Sequence, residues 1–235
     1  MRFKNQIVIV TGASSGIGKA CAIAFAREGA KVALAARRKD KLEKIAESLR
    51  KEKCIAEIFV TDVRNEKDLA KLARDVEKKL GPCDILVNNA GITLIGPLQK
   101  MKTAEVDNLF ETNLRAPILL TREVLPSMMK RKKGVIINIS SIAGKVGLGN
   151  FSVYCASKFG LSGFSEALLE EVREFGIKVV DVCSGMVDTE IHGRQTSIRR
   201  QDMIQPEDVA DAVLLSVASD TCTISEIRIR PKRPL

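Results

Sequence analysis

The stretch QIVIVTGASSGIGKACAIAFA, residues 6–26, joins two periodicities through a cluster of glycines. Gln6 to Val10 is a short apolar, β-branched run bounded by polar residues, which predicts a buried parallel strand. From Ile17 to Ala26 the small and apolar residues predict a helix. Gly12 permits a tight turn between them, and Gly16 and Gly18 remove side chains where a phosphate or a neighbouring strand must approach. A helix N-terminus offers unpaired N–H groups and the positive end of a dipole, which suits a pyrophosphate. The spacing G-x-x-x-G-x-G differs from the G-x-G-x-x-G of many dinucleotide folds, although the physical job is similar. A glycine-rich turn with no ligand remains the alternative at this point.

Outward from the glycines, Lys31 to Ala36 (KVALAA) reads as the second strand. Dinucleotide folds usually place an acidic residue near its end to hold the adenosine ribose hydroxyls. Here the chain reads Ala36, Arg37, Arg38, with two guanidinium groups and no carboxylate. A 2′-phosphate would be repelled by Asp and bound in a fork by Arg. The expected cofactor is therefore NADP(H) in preference to NAD(H), with a solvated basic helix start (RRKDKLEK) as the alternative.

Further along, Phe151 to Glu174 has the periodicity of a long helix, and Tyr154 and Lys158 lie four apart on one face of it. A phenol used as a base near neutrality must be stabilised as phenolate by roughly 3 pKa units, or about 4 kcal/mol. An ammonium about 4 Å away at an effective dielectric near 20 contributes on the order of 4 kcal/mol. Protonated, the same tyrosine can give its proton to a carbonyl oxygen as hydride arrives at carbon. Ser141 follows another apolar run, Val135 to Ser140, and its hydroxyl can hold an oxygen where charge develops.

With Asn113, these groups fall in an order along the chain that resembles the short-chain dehydrogenase/reductase family, and the likeness runs over nearly the whole length. Thr11, Gly12, Gly16, Ile17 and Gly18 match the family's glycine motif, with Ser14 and Ser15 inside it. Asp62 and Val63 match its adenine-contacting pair, and Asn88, Asn89, Ala90 and Gly91 its turn after the fourth strand. Asn113, Ser141, Tyr154 and Lys158 match its active-site tetrad. The resemblance implies a doubly wound Rossmann fold, cofactor contacts from these residues and from Gly185, Val187 and Thr189, and a water-positioning role for Asn113. It places Thr93, Leu94, Ile142, Val146, Phe151 and Met186 around the substrate, an apolar wall suited to a small or medium carbonyl compound or secondary alcohol. The implied activity is that of a carbonyl reductase on an aldehyde, ketone, 3-oxo ester or 3-hydroxy acid.

Two positions depart from the pattern. Ser184 stands where the family has proline before Gly185, which restores an N–H, frees φ and predicts a looser loop over the nicotinamide. Cys155 follows the tyrosine and reads as a small packed residue.

The length of 235 residues with alternating strand and helix signals predicts one α/β domain, residues 1–235, with a parallel sheet of about seven strands and helices on both faces. Further helices are expected at Asp40 to Lys53, Glu66 to Leu80, Ala104 to Met129 and Pro206 to Ser216, with Thr103 as an N-cap and Pro117 as a kink, and a last strand at Thr223 to Ile229. A short polar lid is expected over about 189–205, with His192, Arg194, Arg199 and Arg200 as possible carboxylate contacts. Six cysteines without C-x-x-C spacing, no signal peptide and no membrane-length apolar run predict a reduced, cytoplasmic protein with no membrane partner. The lone His192 has no ligand pattern around it, which disfavours a metal. The net charge of +9 raises nucleic-acid binding, but the basic clusters are scattered and aromatic residues are few, so no specific nucleic acid is expected. A catalytically silent cofactor sensor on the same fold is the other alternative, weakened by the presence of both Tyr154 and Lys158. The family likeness also implies a homodimer or homotetramer, formed through the two long helices. Leu109, Phe110, Phe164, Leu168 and Leu169 could serve that surface or the chain's own core.

Overall fold

A computed structural model describes residues 1–192, 199–219 and 221–233. Seven strands, β1 (Ile7–Thr11), β2 (Lys31–Ala36), β3 (Ile55–Val60), β4 (Ile85–Asn88), β5 (Gly134–Ile139), β6 (Ile177–Ser184) and β7 (Glu226–Ile229), form one sheet in the order β3-β2-β1-β4-β5-β6-β7. All neighbours are parallel. The chain winds outward from β1 in one direction through β3, then restarts at β4 on the other side. The crevice between the carboxyl ends of β1 and β4 is thus the switch point at which open α/β sheets bind ligands.

The five inner strands are buried on both faces, whereas the edge strands β3 and β7 are partly exposed, and successive residues feed different cores. Val8, Val10, Val32 and Leu34 pack with Phe25, Leu42, Leu49 and Val213. These come from helices α1 (Gly16–Arg27), α2 (Lys39–Lys51) and α7 (Pro206–Val217). Ile7, Ile9, Ala33 and Ala35 instead join Leu69, Val76, Leu120, Val124 and Leu168. That second core is built from α3 (Glu66–Lys79), α5 (Ala116–Arg131) and α6 (Ser152–Val172).

The segment expected as one helix from Ala104 to Met129 is split. α4 (Thr103–Phe110) runs into a π-helical turn, Glu111–Arg115, before α5 begins. Pro117 explains the position: it has no N–H to donate to the carbonyl four residues back, and the wider turn falls just before it. Thr103 is the first helical residue and not the N-cap. Lys102 takes that place, its N–H donating to Glu105 Oε2 at 3.0 Å. The last strand is also shorter than expected, starting at Glu226. Leu109 and Leu168 are buried within the chain, which leaves Phe110, Phe164 and Leu169 half-buried on the long helices.

Candidate functional site

The floor of the crevice is a polar staple between β1 and β4. The Thr11 hydroxyl accepts from the N–H groups of Asn89 (2.9 Å) and Ala90 (3.1 Å) and donates to the Val87 carbonyl (3.3 Å). Asn89 Nδ2 returns a bond to Thr11 O at 2.9 Å. Gly12 adopts φ +66°, and a Cβ there would meet Asn89 Nδ2 at 2.7 Å. Gly16 adopts φ +53°, with Thr189 Cγ2 2.9 Å from where its Cβ would be. No side chain caps the start of α1, so its first N–H groups remain available to an anion.

The two arginines after β2 diverge. Arg38 turns inward: Nε and Nη2 donate to Ser14 Oγ at 3.1 and 2.9 Å, and Nη2 to Ser15 Oγ at 2.6 Å. Its Nη1 donates to Glu190 Oε2 at 2.6 Å, and Lys41 Nζ donates to Glu190 Oε1 at 2.7 Å. Arg37 is exposed and adds to the positive field on Asp62. The Asp62 carboxyl is held below its ordinary range chiefly by Arg64, whose Nε and Nη2 donate to it at 3.0 and 2.5 Å. Val63 is buried beside it. A cluster of hydroxyls, ammonium and guanidinium beside the glycine turn fits the adenosine end of a phosphorylated dinucleotide. Lys41 and Glu190 escape sequence reasoning. Lys41 lies one helical turn from Arg38, a readable signal, whereas Glu190 is 152 residues away from it and gives none.

At the other end of the crevice, the π turn carries Asn113 into the interior, where it is 1% exposed. Its amide bonds the backbone of Ile92, next to Gly91, and Nδ2 also reaches Ser157 Oγ at 3.3 Å. Ser141, two residues past the end of β5, caps the 3-10 turn Ile142–Gly144 and accepts from Ala143 N at 3.1 Å. Its hydroxyl lies against Tyr154 and partly offsets the burial that pushes the phenol above its ordinary pKa. Lys158 Nζ donates to Ile139 O at 2.8 Å and sits 6.0 Å from the centre of the Tyr154 ring. Burial brings its ammonium down to about 8, against the opposing pull of Asp181. The phenolate stabilisation expected from the sequence therefore takes a different form in this state. The lysine is drawn to a backbone carbonyl, and Tyr154 holds its proton.

Behind Lys158, β6 buries Asp181, which pairs with Lys145 Nζ at 3.1 Å and accepts from Cys183 Sγ at 3.3 Å. Lys145 also bonds Glu226 at 2.7 Å. A charged residue inside the buried run IKVVDVCS was the signal available in the sequence.

Of the substrate-wall candidates, Phe151 stacks edge-on to Tyr154 with ring centres 6.2 Å apart. Thr93, Leu94, Ile142 and Met186 are half-buried, and Val146 is exposed. The loops bearing Leu94 and Val146 are joined by Gly96 N donating to Asn150 O at 2.8 Å. Ser184 is tied down in a way the missing proline did not predict: it ends β6 in register with Ile229, and Gly185 N donates to Ile229 O at 2.8 Å. Met186 and Asp188 pair with Ile204, and Val187 is buried between them. Arg199 pairs with Asp202 and Arg200 with Asp188, both at the exposed surface. Arg194 and the His192 side chain lie outside the described residues. Among the described residues, no helix is long and apolar enough to cross a membrane.

The sequence model of the family described as short chain dehydrogenase matches residues 6–199. An uncharacterized oxidoreductase of Staphylococcus aureus (strain N315) is 33% identical over 228 residues, 97% of each chain. A ketoacyl reductase of Nostoc sp. (strain PCC 7120) is 36% identical over 223 residues, 94% of this chain and 78% of its own. Among solved structures, a metagenomic short-chain oxidoreductase in complex with NADP superposes with a TM-score of 0.88 at 38% identity, covering all of both chains. An alcohol dehydrogenase from the archaeon Thermococcus sibiricus, complexed with 5-hydroxy-NADP, gives 0.90 at 26% identity over 98% of this chain and 99% of its own.

Proposed function

The chain belongs to the short chain dehydrogenase family of oxidoreductases, and from that premise we propose that it is an NADP(H)-dependent carbonyl reductase, reversible toward a secondary alcohol. The observation that carries the reading is the convergence of Asn113, Ser141, Tyr154 and Lys158 at one end of a crevice whose other end holds Arg38 against Ser14 and Ser15, with Lys41 joined to it through Glu190. The NADP-bound structural neighbours support the cofactor, and the relative named ketoacyl reductase supports a 3-oxo ester within the substrate range.

In this reading Gly12 to Gly18 and the α1 N-terminus bind the pyrophosphate, Arg38 and Lys41 the 2′-phosphate, Asp62 and Val63 line the adenosine side, and Asn89, Ala90 and Gly91 line the crevice from there toward Asn113 and Lys158. Gly185, Val187 and Thr189 border the nicotinamide, and the reduced cofactor, when bound, supplies hydride to the carbonyl carbon. Ser141 donates a hydrogen bond to the carbonyl oxygen and fixes its position. Tyr154, kept protonated by its burial, transfers its phenolic proton to that oxygen. Lys158 places positive charge where the phenolate forms, and Asn113 positions the route by which the lysine regains a proton. Thr93, Leu94, Ile142, Val146, Phe151 and Met186 exclude water from the reacting carbon. The chain acts as one catalytic unit and associates through Phe110, Phe164 and Leu169. A monomeric mass by light scattering at micromolar concentration removes that last element.

Initial rates with NADPH and NADH on a panel of aldehydes, ketones and 3-oxo esters test the assignment, with faster turnover expected from NADPH. Tyr154→Phe is expected to retain cofactor affinity and lose about 10²–10⁴-fold in kcat. Near-normal turnover in that variant would sink the role given to Tyr154.

A further inference from the structure

The segment after β6 lies across the start of α1 and is anchored at two adjacent residues. Thr189 packs its methyl on Gly16, where any Cβ would clash at 2.9 Å. Glu190 then bridges Arg38 and Lys41, one carboxylate oxygen to each, at 2.6 and 2.7 Å. The remaining Arg38 contacts go to Ser14 and Ser15. The outward fork of the guanidinium and the nearby ammonium are thus both engaged by a single carboxylate from a remote part of the chain. Hydrogen bonds from Arg38 and Lys41 bring that carboxyl down to about 2, so it stays charged throughout the neutral range. Two oxygens of a phosphate monoester could bridge the same two cations in the same manner. A phosphate monoester carries about −1.5 to −2 charge and a third acceptor oxygen, so it can replace the carboxylate, which a ribose hydroxyl cannot.

We propose that Glu190 is a specificity-determining residue of cofactor binding: in the free protein its carboxylate occupies the Arg38–Lys41 subsite, and a 2′-phosphate binds there by displacing it. The inference rests on the reading of this pocket as the 2′-phosphate subsite. It follows that Glu190 weakens binding of 2′-phosphorylated ligands selectively, and that their arrival frees the Glu190 carboxylate from Arg38 and Lys41.

The test is calorimetric titration of the full chain with 2′,5′-ADP and, separately, 5′-ADP. Arg38→Met examines the subsite itself and is expected to abolish the preference for 2′,5′-ADP; an undiminished preference overturns both the subsite and the inference built on it. With the subsite established, Glu190→Gln is expected to tighten 2′,5′-ADP about three- to tenfold, in keeping with two exposed ion pairs, and to leave 5′-ADP unchanged. Glu190→Asp, one methylene too short to span both cations, is expected to tighten 2′,5′-ADP as well. Unchanged or weaker 2′,5′-ADP binding in Glu190→Gln overturns the inference alone and leaves the subsite standing. Equal tightening of both ligands also overturns it, since that is the signature of a general charge effect.

Discussion

Asn113 bonds both backbone groups of Ile92, its Oδ1 accepting from the Ile92 N–H and its Nδ2 donating to the Ile92 carbonyl, each at 2.9 Å. The turn after β4 is thereby held to the π turn between α4 and α5. Asn113→Ala leaves a part-buried N–H and C=O without partners, at a cost of about 2–3 kcal/mol in unfolding free energy. We expect a lower denaturation midpoint and reduced kcat in the same variant. Unchanged stability, measured by urea unfolding, would show that these bonds are replaced by water.

Gly18 faces the same staple from below. A Cβ there would lie 2.3 Å from Asn89 Nδ2 and 2.6 Å from Gly12 O, and the backbone oxygen cannot move without opening the turn. Gly18→Ala is expected to weaken NADPH binding about tenfold, equivalent to ~1.4 kcal/mol, with a smaller loss of thermal stability. Fluorescence titration of NADPH measures the first and calorimetry the second.

Carbonyl reduction is expected to decline as pH rises through about 8, because burial brings the Lys158 ammonium down to that value. Burial moves Tyr154 the other way, so its proton is retained there and the limb reports the lysine. Asp181 opposes the downward shift of Lys158. Asp181→Asn should therefore move the limb to lower pH, and a profile shifted to higher pH would reverse the sign assigned here.

Stability should fall in alkali through the buried thiols. Burial pushes Cys21 and Cys83 from their usual value of 9.0 up to about 12. Their contribution is complete below pH 9, where the thiols keep their protons in the folded and unfolded chain alike. It is lost as pH rises from 9 toward 12, because the unfolded thiols ionise and the folded ones do not. Each costs on the order of 1 kcal/mol by pH 10. Lys158 acts in the opposite direction between about 8 and its usual 10.5, where the unfolded chain binds the extra proton. Cys21→Ala should flatten the decline of melting temperature between pH 8 and 10 relative to the parent.

The strands KVALAA and IAEIFV were legible to the residue because each is a short, mostly apolar run with charged residues close on either side. The glycine turn and the order of Asn113, Ser141, Tyr154 and Lys158 were legible because local backbone demands and fixed helical spacing leave a signature in one dimension. The π turn was not. Residues 104–129 keep an ordinary helical period, and one extra residue per turn changes which face Asn113 meets without altering composition. The Arg38–Glu190 contact is tertiary, and Lys158 bonds a backbone carbonyl that no side-chain pattern encodes. The last strand starts at Glu226, opposite Asp181, although β6 itself begins at Ile177, so its shortening follows neither from the length of its neighbour nor from the apolar pattern.

The Thr11 hydroxyl, accepting two N–H groups across the crevice and donating to a third peptide, means that the entropy of ordering this floor is spent during folding. A ligand arriving between β1 and β4 meets a rigid platform, so its association carries little cost of rearrangement there. In the proposed displacement, what is released on binding includes the Glu190 contacts to Arg38 and Lys41. The thermodynamic signature of cofactor capture should accordingly change with substitutions at Glu190 and stay nearly constant with conservative ones around Thr11.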